Sequence, residues 1–472
     1  MSSQSVEGAS SPHGAARANP LYFAVWRWHF YAGIFVVPFL LTLAVTGFFM
    51  MWFTTIAPEY GDRLAVAPAG EPLAPGALQA AALAAVPGAT ALSGFTTPRD
   101  ATTPALLTVS AGEAGDFVVA VDPYSGAALR ITPDGDTWNA FAETIHGTLM
   151  LGTLGDRLIE IAASLGLLLV VTGVYLWWPR GGGLGLRRLL VPDLAASGRG
   201  LWKSLHSVTG AWAALVLTFF FLSGLAWAGV WGEKFVQAWS TFPAEKWDNV
   251  PLSDTTHASM NHDGKEVPWA LEQTAMPASG SEAGVAGLAD GVAATLDTIV
   301  ALGRQIGFDA RFNVTPPQED TGVWTLSRDS MSYDSTDPTS DRTVHIDRFT
   351  GKILADVRFA DYSAAGKAMA VGVALHEGQT GLWNIILNGA FCAAVIFLCV
   401  SGAVMWWKRR PAGALRLAAP PRPAVVPLAR GVVLIAIFMS MLFPMLGFAL
   451  LAVLAVDLLA TAAMPGLKAA VS

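Results

Sequence analysis

The chain has 472 residues, 53% hydrophobic and 14% charged, with a mean hydropathy of +0.47. A soluble domain carries about 25% charged residues, so this composition excludes a water-soluble protein of such length. A net charge of −7 argues against nucleic-acid binding, and two cysteines exclude a disulfide scaffold.

Residues 1–29 form a Ser/Ala-rich tail that reads as cytoplasmic. The first apolar run, 30–53, carries no acid or base between His29 and Glu59. No small-residue cleavage site follows it, so it reads as an uncleaved membrane anchor. A polar segment, 54–140, comes next, and then a helix over 141–178 that carries His146 and becomes apolar at 158. After a loop at 179–206, the third span covers 207–231 and a second polar segment covers 232–375. A helix over 376–407 begins with His376 and is apolar from 383. A loop (408–428), a fifth run (429–456) and a tail (457–472) complete the chain. Pro444 either kinks the fifth run or divides it into a re-entrant pair.

Charge sets the expected orientation. Residues 1–28, 179–203 and 408–430 hold 13 bases, among them Arg17, Arg180, Arg416 and Arg422, against the two acids Glu7 and Asp193. By the positive-inside rule these segments are cytoplasmic. The remainder, with 16 bases and 34 acids, lies mostly outside, so both large polar segments are expected in the periplasm. Trp177–Trp178 and Trp406–Trp407 suit the inner aromatic belt. Cys392 and Cys399 stand about 10.5 Å apart along one helix, too far to bridge, and read as core residues.

The spans repeat in pairs. His29-x3-Gly33 precedes Thr46-Gly47, and His206-x3-Gly210 precedes Ser223-Gly224. His146 leads to Thr172-Gly173 and Trp177-Trp178, as His376 leads to Ser401-Gly402 and Trp406-Trp407. The polar segments repeat as well. FVVAVDPYSGAALRIT (117–132) matches RTVHIDRFTGKILADV (342–357), each a strand, a D-x-[FY]-[ST]-G turn and a second strand. Residues 77–86 and 295–307 offer a helix before each hairpin. The expected fold class is therefore an α-helical membrane protein of about five transmembrane helices, a duplicated pair plus one. Two α+β modules lie outside the membrane, and a pseudo-two-fold axis runs along its normal.

Four histidines, His29, His146, His206 and His376, flank spans 1 to 4, one each. An ionisable residue beside a span is a functional candidate by default. The inner pair, His29 and His206, opens spans 1 and 3. A continuous second helix would put His146 about 48 Å from Trp178, which places His146 and His376 at or just above the outer interface. Two levels cannot converge on one metal ion, but each pair can clasp a planar cofactor. Haem fits: each face needs one axial ligand, and the absence of C-x-x-C-H implies noncovalent b-type centres, two in number. Bis-histidine iron has no open position, so it transfers electrons without binding its substrate. Gly33 and Gly210 either admit a porphyrin or serve helix packing. His257, Met260 and His262 form a small outer cluster that reads as a metal site or, more simply, as a polar loop. Gly181-Gly182-Gly183-Leu184-Gly185 reads as a flexible turn, because the loop is too short for a βαβ nucleotide unit.

These residues resemble the PepSY-associated transmembrane family. The likeness rests on the WRWH and WKSLH openings of spans 1 and 3, the VDPYSG and IDRFTG hairpins, VPWALEQ at 267–273, and the T-G or S-G…W-W span ends. It implies PepSY-like modules and haem ligation at His29, His146, His206 and His376. It also implies an inner-membrane reductase of ferric siderophores, fed by a quinol or a cytoplasmic donor and releasing Fe(II). The rival expectations are a membrane-tethered peptidase inhibitor or sensor without redox activity, and a haem or metal transport component. The acidic outer face is expected to favour cationic or neutral ferric chelates.

Overall fold

The computed structural model describes residues 20–179, 186–261, 265–410, 419–421 and 429–463. His13, His262, Arg17, Arg180, Arg416, Arg422, the turn at 181–185 and most of both tails lie outside these residues. Among the described residues, four helices are long and apolar enough to cross a membrane: α1 (Pro20–Met51, prolonged by a π-helical turn over Trp52–Ile56), α4 (Thr153–Trp177), α6 (Gly198–Leu225) and α10 (Leu382–Arg409). They close into a ring in which α1 and α6 each pack on both α4 and α10. A short helix, α5 (Leu186–Leu190), lies between α4 and α6, and its Leu189 and Leu190 carbonyls accept from the Trp177 and Trp212 indoles. At this end Arg409 lies over Trp26 and Phe30, and Arg410 over Trp406 and Trp407, as aromatic-belt anchors do.

The chain leaves the ring twice to build one sheet domain. Its first excursion contributes α2 (Pro75–Ala85), β1 (Ala91–Thr96), β2 (Ala105–Ser110), β3 (Asp116–Val121) and β4 (Ala128–Pro133). The second contributes α7 (Ala238–Ser240), a two-stranded sheet of β5 (Leu252–Thr256) and β6 (Ala275–Pro277), then α8 (Leu296–Gln305), β7 (Asn313–Thr315), β8 (Trp324–Arg328), β9 (Arg342–Ile346) and β10 (Ile353–Arg358). The two repeats are joined edge to edge. They share one antiparallel sheet of eight strands, ordered β10-β9-β8-β7-β1-β2-β3-β4 and sewn by Phe95↔Val314 and Thr96↔Asn313. A lone four-stranded module would leave β1 or β7 as an open edge, and pairing the copies removes both edges.

Leu78 and Ala82 of α2 and Leu296, Ile299 and Leu302 of α8 cover one face of this sheet and form a common core with Leu107, Val119, Leu326, Val344 and Ile346. Both predicted hairpins form. Asp122 Oδ1 accepts from the Tyr124 amide and Asp347 Oδ1 from those of Phe349 and Thr350, while Gly126 (φ +71°) and Gly351 (φ +66°) take the left-handed turn position.

Two expected helices differ. The helix over 141–178 is broken into α3 (Trp138–Thr148) and α4, with Leu149 and Met150 at positive φ between them. That over 376–407 is broken into α9 (Ala364–Glu377) and α10, through Gly378 (φ +83°) and Gly381 (φ +110°). In the second break Asn384 and Asn388 donate to the freed Leu375 carbonyl, and Asn388 also donates to that of His376. In the first, α4 begins so close to α3 that a Cβ on Gly155 would lie 1.6 Å from the Thr148 carbonyl oxygen.

The fifth run also divides, into α11 (Ala429–Leu442) and α12 (Pro444–Ala463). Pro444 has no N–H and obstructs the carbonyl four residues back. The bend is sharp: a Cβ on Gly447 would sit 2.8 Å from that of Ser440. The tip docks on the ring, with Phe443 stacked on Trp231 and the Trp231 indole donating to the Leu442 carbonyl. Cys399 is buried, Cys392 is half-buried and both are free thiols.

Candidate functional site

Each of the four histidines meets a Thr-Gly or Ser-Gly pair on a facing helix. His29 on α1 reaches Thr172 on α4 (Nδ1 to Oγ1 2.9 Å), and His206 on α6 reaches Ser401 on α10 (2.8 Å). His146 on α3 reaches Thr46 on α1 (2.9 Å), and His376 on α9 reaches Ser223 on α6 (2.8 Å). The glycine of each pair presents bare backbone to the ring. A Cβ would stand 3.2 Å from His29 Cε1 at Gly173, 3.2 Å from His146 at Gly47, 3.4 Å from His376 at Gly224 and 3.8 Å from His206 at Gly402. Gly33 and Gly210 instead face Leu169 and Leu398 at 3.9 and 3.7 Å, which is ordinary helix packing.

The hydroxyls fix the tautomers. Thr46 Oγ1 donates to the Thr42 carbonyl, Thr172 to Leu168, Ser223 to Phe219 and Ser401 to Leu398. A hydroxyl has one hydrogen, and once it is donated along its own helix the oxygen can only accept from the imidazole. All four rings therefore carry hydrogen on Nδ1 and keep a bare lone pair on Nε2, the form that ligates a metal. The Leu169, Leu43 and Leu398 carbonyls, within reach of His29, His146 and His206, can likewise only accept.

His29 and His206 lie close enough to interact electrostatically, as do His146 and His376. On α1 the two levels, at residues 29 and 46, are about 25 Å apart, and residues 206 and 223 on α6 give the same spacing. The continuous second helix does not form: α3 and α9 stop just after their histidines, and His146 and His376 meet α1 at Thr46 and α6 at Ser223, near the ends of those helices that lead into the sheet domain.

Beside the His146/His376 level, buried polar groups join the sheet to the helices. Arg311 binds Asp62 (Nη1 to Oδ2 3.1 Å) and Asp334 (Nε to Oδ1 3.2 Å), while Arg99 binds Asp62 and the Tyr333 carbonyl. The Tyr333 hydroxyl donates to Glu377, the residue after His376. Burial pushes Asp334 up to about 7 despite Arg311, and burial with the nearby Glu143 and Glu272 pushes Glu266 up to about 7. The Trp227 indole donates to Glu266 and packs edge-on against the His376 ring, centroids 5.8 Å apart.

Of the cluster of His257, Met260 and His262, His262 lies outside the described residues, and His257 is committed to other partners. His257 is fully buried and its ring is fully engaged: Nδ1 faces the Thr274 carbonyl at 2.8 Å and Nε2 faces His345 Nε2 at 2.9 Å. A carbonyl only accepts, so His257 Nδ1 carries the proton and its Nε2 accepts from His345 Nε2–H. His345 Nδ1 then accepts from Thr325 Oγ1, 3.0 Å away. Among the described residues, no group of three or more His, Cys, Asp or Glu is arranged to hold a metal ion.

Burial holds His257 down at about 4, and burial with the neighbouring His257 holds His345 well below the usual imidazole range. Between these values and 6.5 the unfolded chain binds more protons than the folded one. The contribution to stability is thus complete above pH 6.5 and is lost as pH falls toward 4. Gln in place of His345 can keep both hydrogen bonds without titrating. At pH 5 the wild-type sheet is expected to lose about 2 kcal/mol relative to H345Q, measured against pH 7.5. Hydrogen exchange of the β8 and β9 amides in both proteins reads this difference; equal pH dependence refutes it.

No curated protein matches the chain significantly. The family model described as PepSY-associated TM region matches residues 26–409, a stretch that contains all four histidines, all four Thr-Gly or Ser-Gly partners and the whole shared sheet, and the chain belongs to that family.

Proposed function

We propose that the chain is a di-haem electron-transfer reductase of the bacterial inner membrane. Electrons enter at the cytoplasmic His29/His206 level and leave, from the His146/His376 level, to a periplasmic ferric chelate of the siderophore type. The observation that carries this reading is the four-fold histidine–hydroxyl contact, which leaves four Nε2 lone pairs in two pairs on facing helices. That donor set fits bis-histidine haem: two imidazoles per group, tautomers fixed from behind, and glycine wherever a side chain would crowd the ring. His29 with His206 and His146 with His376 would hold the two groups. Bound haem would supply a reversible one-electron couple, and no side-chain acid or base is required. The helices keep the two levels at a fixed separation and the apolar ring excludes water. The basic end, where Arg409 and Arg410 pack on tryptophans, faces the cytoplasm by the positive-inside rule, which leaves the sheet in the periplasm. Reducing Fe(III) to Fe(II) weakens its hold on hard oxygen ligands, so a chelate would release iron there for uptake.

A reduced-minus-oxidised spectrum with haem stoichiometry tests this on the purified protein and on H29A, H206A, H146A and H376A. Two low-spin haems per wild-type chain are expected. Either variant at one level should lose one haem and keep the other. Four variants that all retain two haems would overturn the ligand assignment. A wild type without a Soret band, despite haem supply, would favour the inhibitor or sensor reading.

The hydroxyls give a finer test. Thr46→Val keeps the shape and removes the acceptor behind His146. Loss of such a partner weakens metal binding by roughly 10- to 100-fold, read as faster transfer of one haem to an apo-globin trap. Unchanged transfer would show that the hydroxyl does not support the ligand.

A further inference from the structure

Where α6 ends at Leu225, the chain makes tight turns through 226–230 and enters a π-helical turn over Trp231–Gln237. Such turns occur often at functional sites. This one is held from below: the buried Glu160 carboxylate accepts from the Val230 and Trp231 amides. It is also held close, since a Cβ on Gly232 would lie 2.0 Å from the Ala226 carbonyl oxygen.

Between this turn and Thr256, Ala258, Glu272 and Gln273 opens a cavity of about 670 Å³, within the range of small-molecule sites. Trp227, Glu233, Lys234, Gln237, Glu272 and Gln273 line it. Gln237 donates to Glu272, and Gln273 donates to Gln237 and to the Glu233 carbonyl, so the wall is a cross-linked rim of amides and carboxylates. Its formal charge is −1, with Lys234 paired to Glu233 at 3.3 Å and both side chains exposed. Trp227 is 37% exposed and belongs to two places at once, as cavity wall and as neighbour of the His376 ring. The repeat does not reproduce this feature: Gly47 corresponds to Gly224, which puts Met50 where the second half has Trp227. The pseudo-two-fold axis is broken at the point where one histidine level meets a polar cleft.

We propose that this cleft docks a hydrophilic ferric chelate of neutral or positive charge, and that Trp227 is the contact through which the chelate meets the His376 side of the ring. The assignment rests on the electron-transfer reading above. In the transfer the chelate iron takes one electron and passes from Fe(III) to Fe(II). A haem held by His146 and His376 would supply that one electron, and the transfer requires no bond to form or break.

The test uses the full-length, haem-loaded protein. A ferric trihydroxamate bearing one free ammonium is the cationic probe, a ferric tricatecholate the anionic one. The gallium(III) trihydroxamate of the same charge is redox-inert and reports docking alone by calorimetry. Trp227→Leu is expected to slow re-oxidation of the pre-reduced protein by the cationic chelate by at least roughly tenfold, with the haem spectrum intact, and Trp227→Phe to restore most of the rate. Lys234→Glu, an exposed change, should tighten gallium chelate binding and speed the cationic probe while slowing the anionic one, with both effects fading in salt. Gallium binding and re-oxidation rates that ignore all three variants overturn the cleft. Gallium binding that responds to Lys234→Glu while no ferric chelate re-oxidises the wild type would overturn the reductase reading and leave the docking site standing.

Discussion

On the di-haem reading proposed above, Gly155→Ala is expected to strip the protein of one haem and leave the other. The added methyl would lie 1.6 Å from the Thr148 carbonyl oxygen, far inside any tolerable contact. The obstacle is backbone, so no rotamer change relieves it. Either the end of α3 or the start of α4 must move by more than an ångström. His146 is two residues from that carbonyl, and its Nδ1 bond to Thr46 spans only 2.9 Å. A ligand displaced by that much leaves its partner histidine to bind alone, and the His146/His376 level should empty. Thr172, the partner of His29, lies at the far end of α4, and that contact should be spared. The control is Gly372→Ala on α9, where the nearest atom to the new methyl is 3.9 Å away and both haems should remain. Haem stoichiometry with a reduced-minus-oxidised spectrum reads the outcome. A G155A protein with two haems would mean that α3 position does not set the ligand.

The second large effect concerns Arg311, which joins the two sequence repeats. It ties Asp62, from the strand-free segment after α1, to Asp334, from the segment after β8. Asn313 also donates to Asp334, beside the β1–β7 seam. Arg311→Ala leaves Asp334 buried without its cation and Asp62 with Arg99 alone. Breaking one partner of a buried ion pair costs about 3–5 kcal/mol. Because Asp334 already sits at about 7 in the folded protein, raised chiefly by burial, the folded chain holds a proton that the unfolded chain has released. Its contribution falls as pH rises from 3.8 through 7, and removing Arg311 extends that fall upward. The variant should therefore be hurt more at pH 8 than at pH 6. The triple variant Arg311→Met, Asp62→Asn, Asp334→Asn removes the charges together and should recover most of the loss. Exchange protection of the β1 and β7 amides follows both. A single variant as stable as the triple at pH 8 would show that the network is incidental.

Much of this architecture is legible in the chain. Four spans, the basic end with its tryptophans and the duplicated hairpins follow from hydropathy, charge and turn chemistry, all local properties of a few consecutive residues. The four histidines were singled out by the same means, because repetition marks equivalent positions without saying what they touch. The helix breaks after His146 and His376 had their own signals in Gly152, Gly378 and Gly381. A long apolar run hides such glycines, because span length is judged by composition.

Other features had no local signal. Thr46, Thr172, Ser223 and Ser401 were visible as repeat markers, yet each partners a histidine 100 or more residues away. The closed helical ring alone decides that pairing. The same holds for His257 and His345, 88 residues apart in sequence and 2.9 Å apart in space. Sequence placed one of them in an outer loop, whereas burial makes the two a proton-ordered pair. The two modules read from the repeat become a single sheet only because β1 and β7 each need a neighbour. The sequence by itself determined which residue types recur and at what spacing. Tertiary structure decided which nitrogen of each histidine is free, which hydroxyl each one meets and which half carries the cleft. These depend on hydrogen bonds and close contacts between segments far apart in the chain.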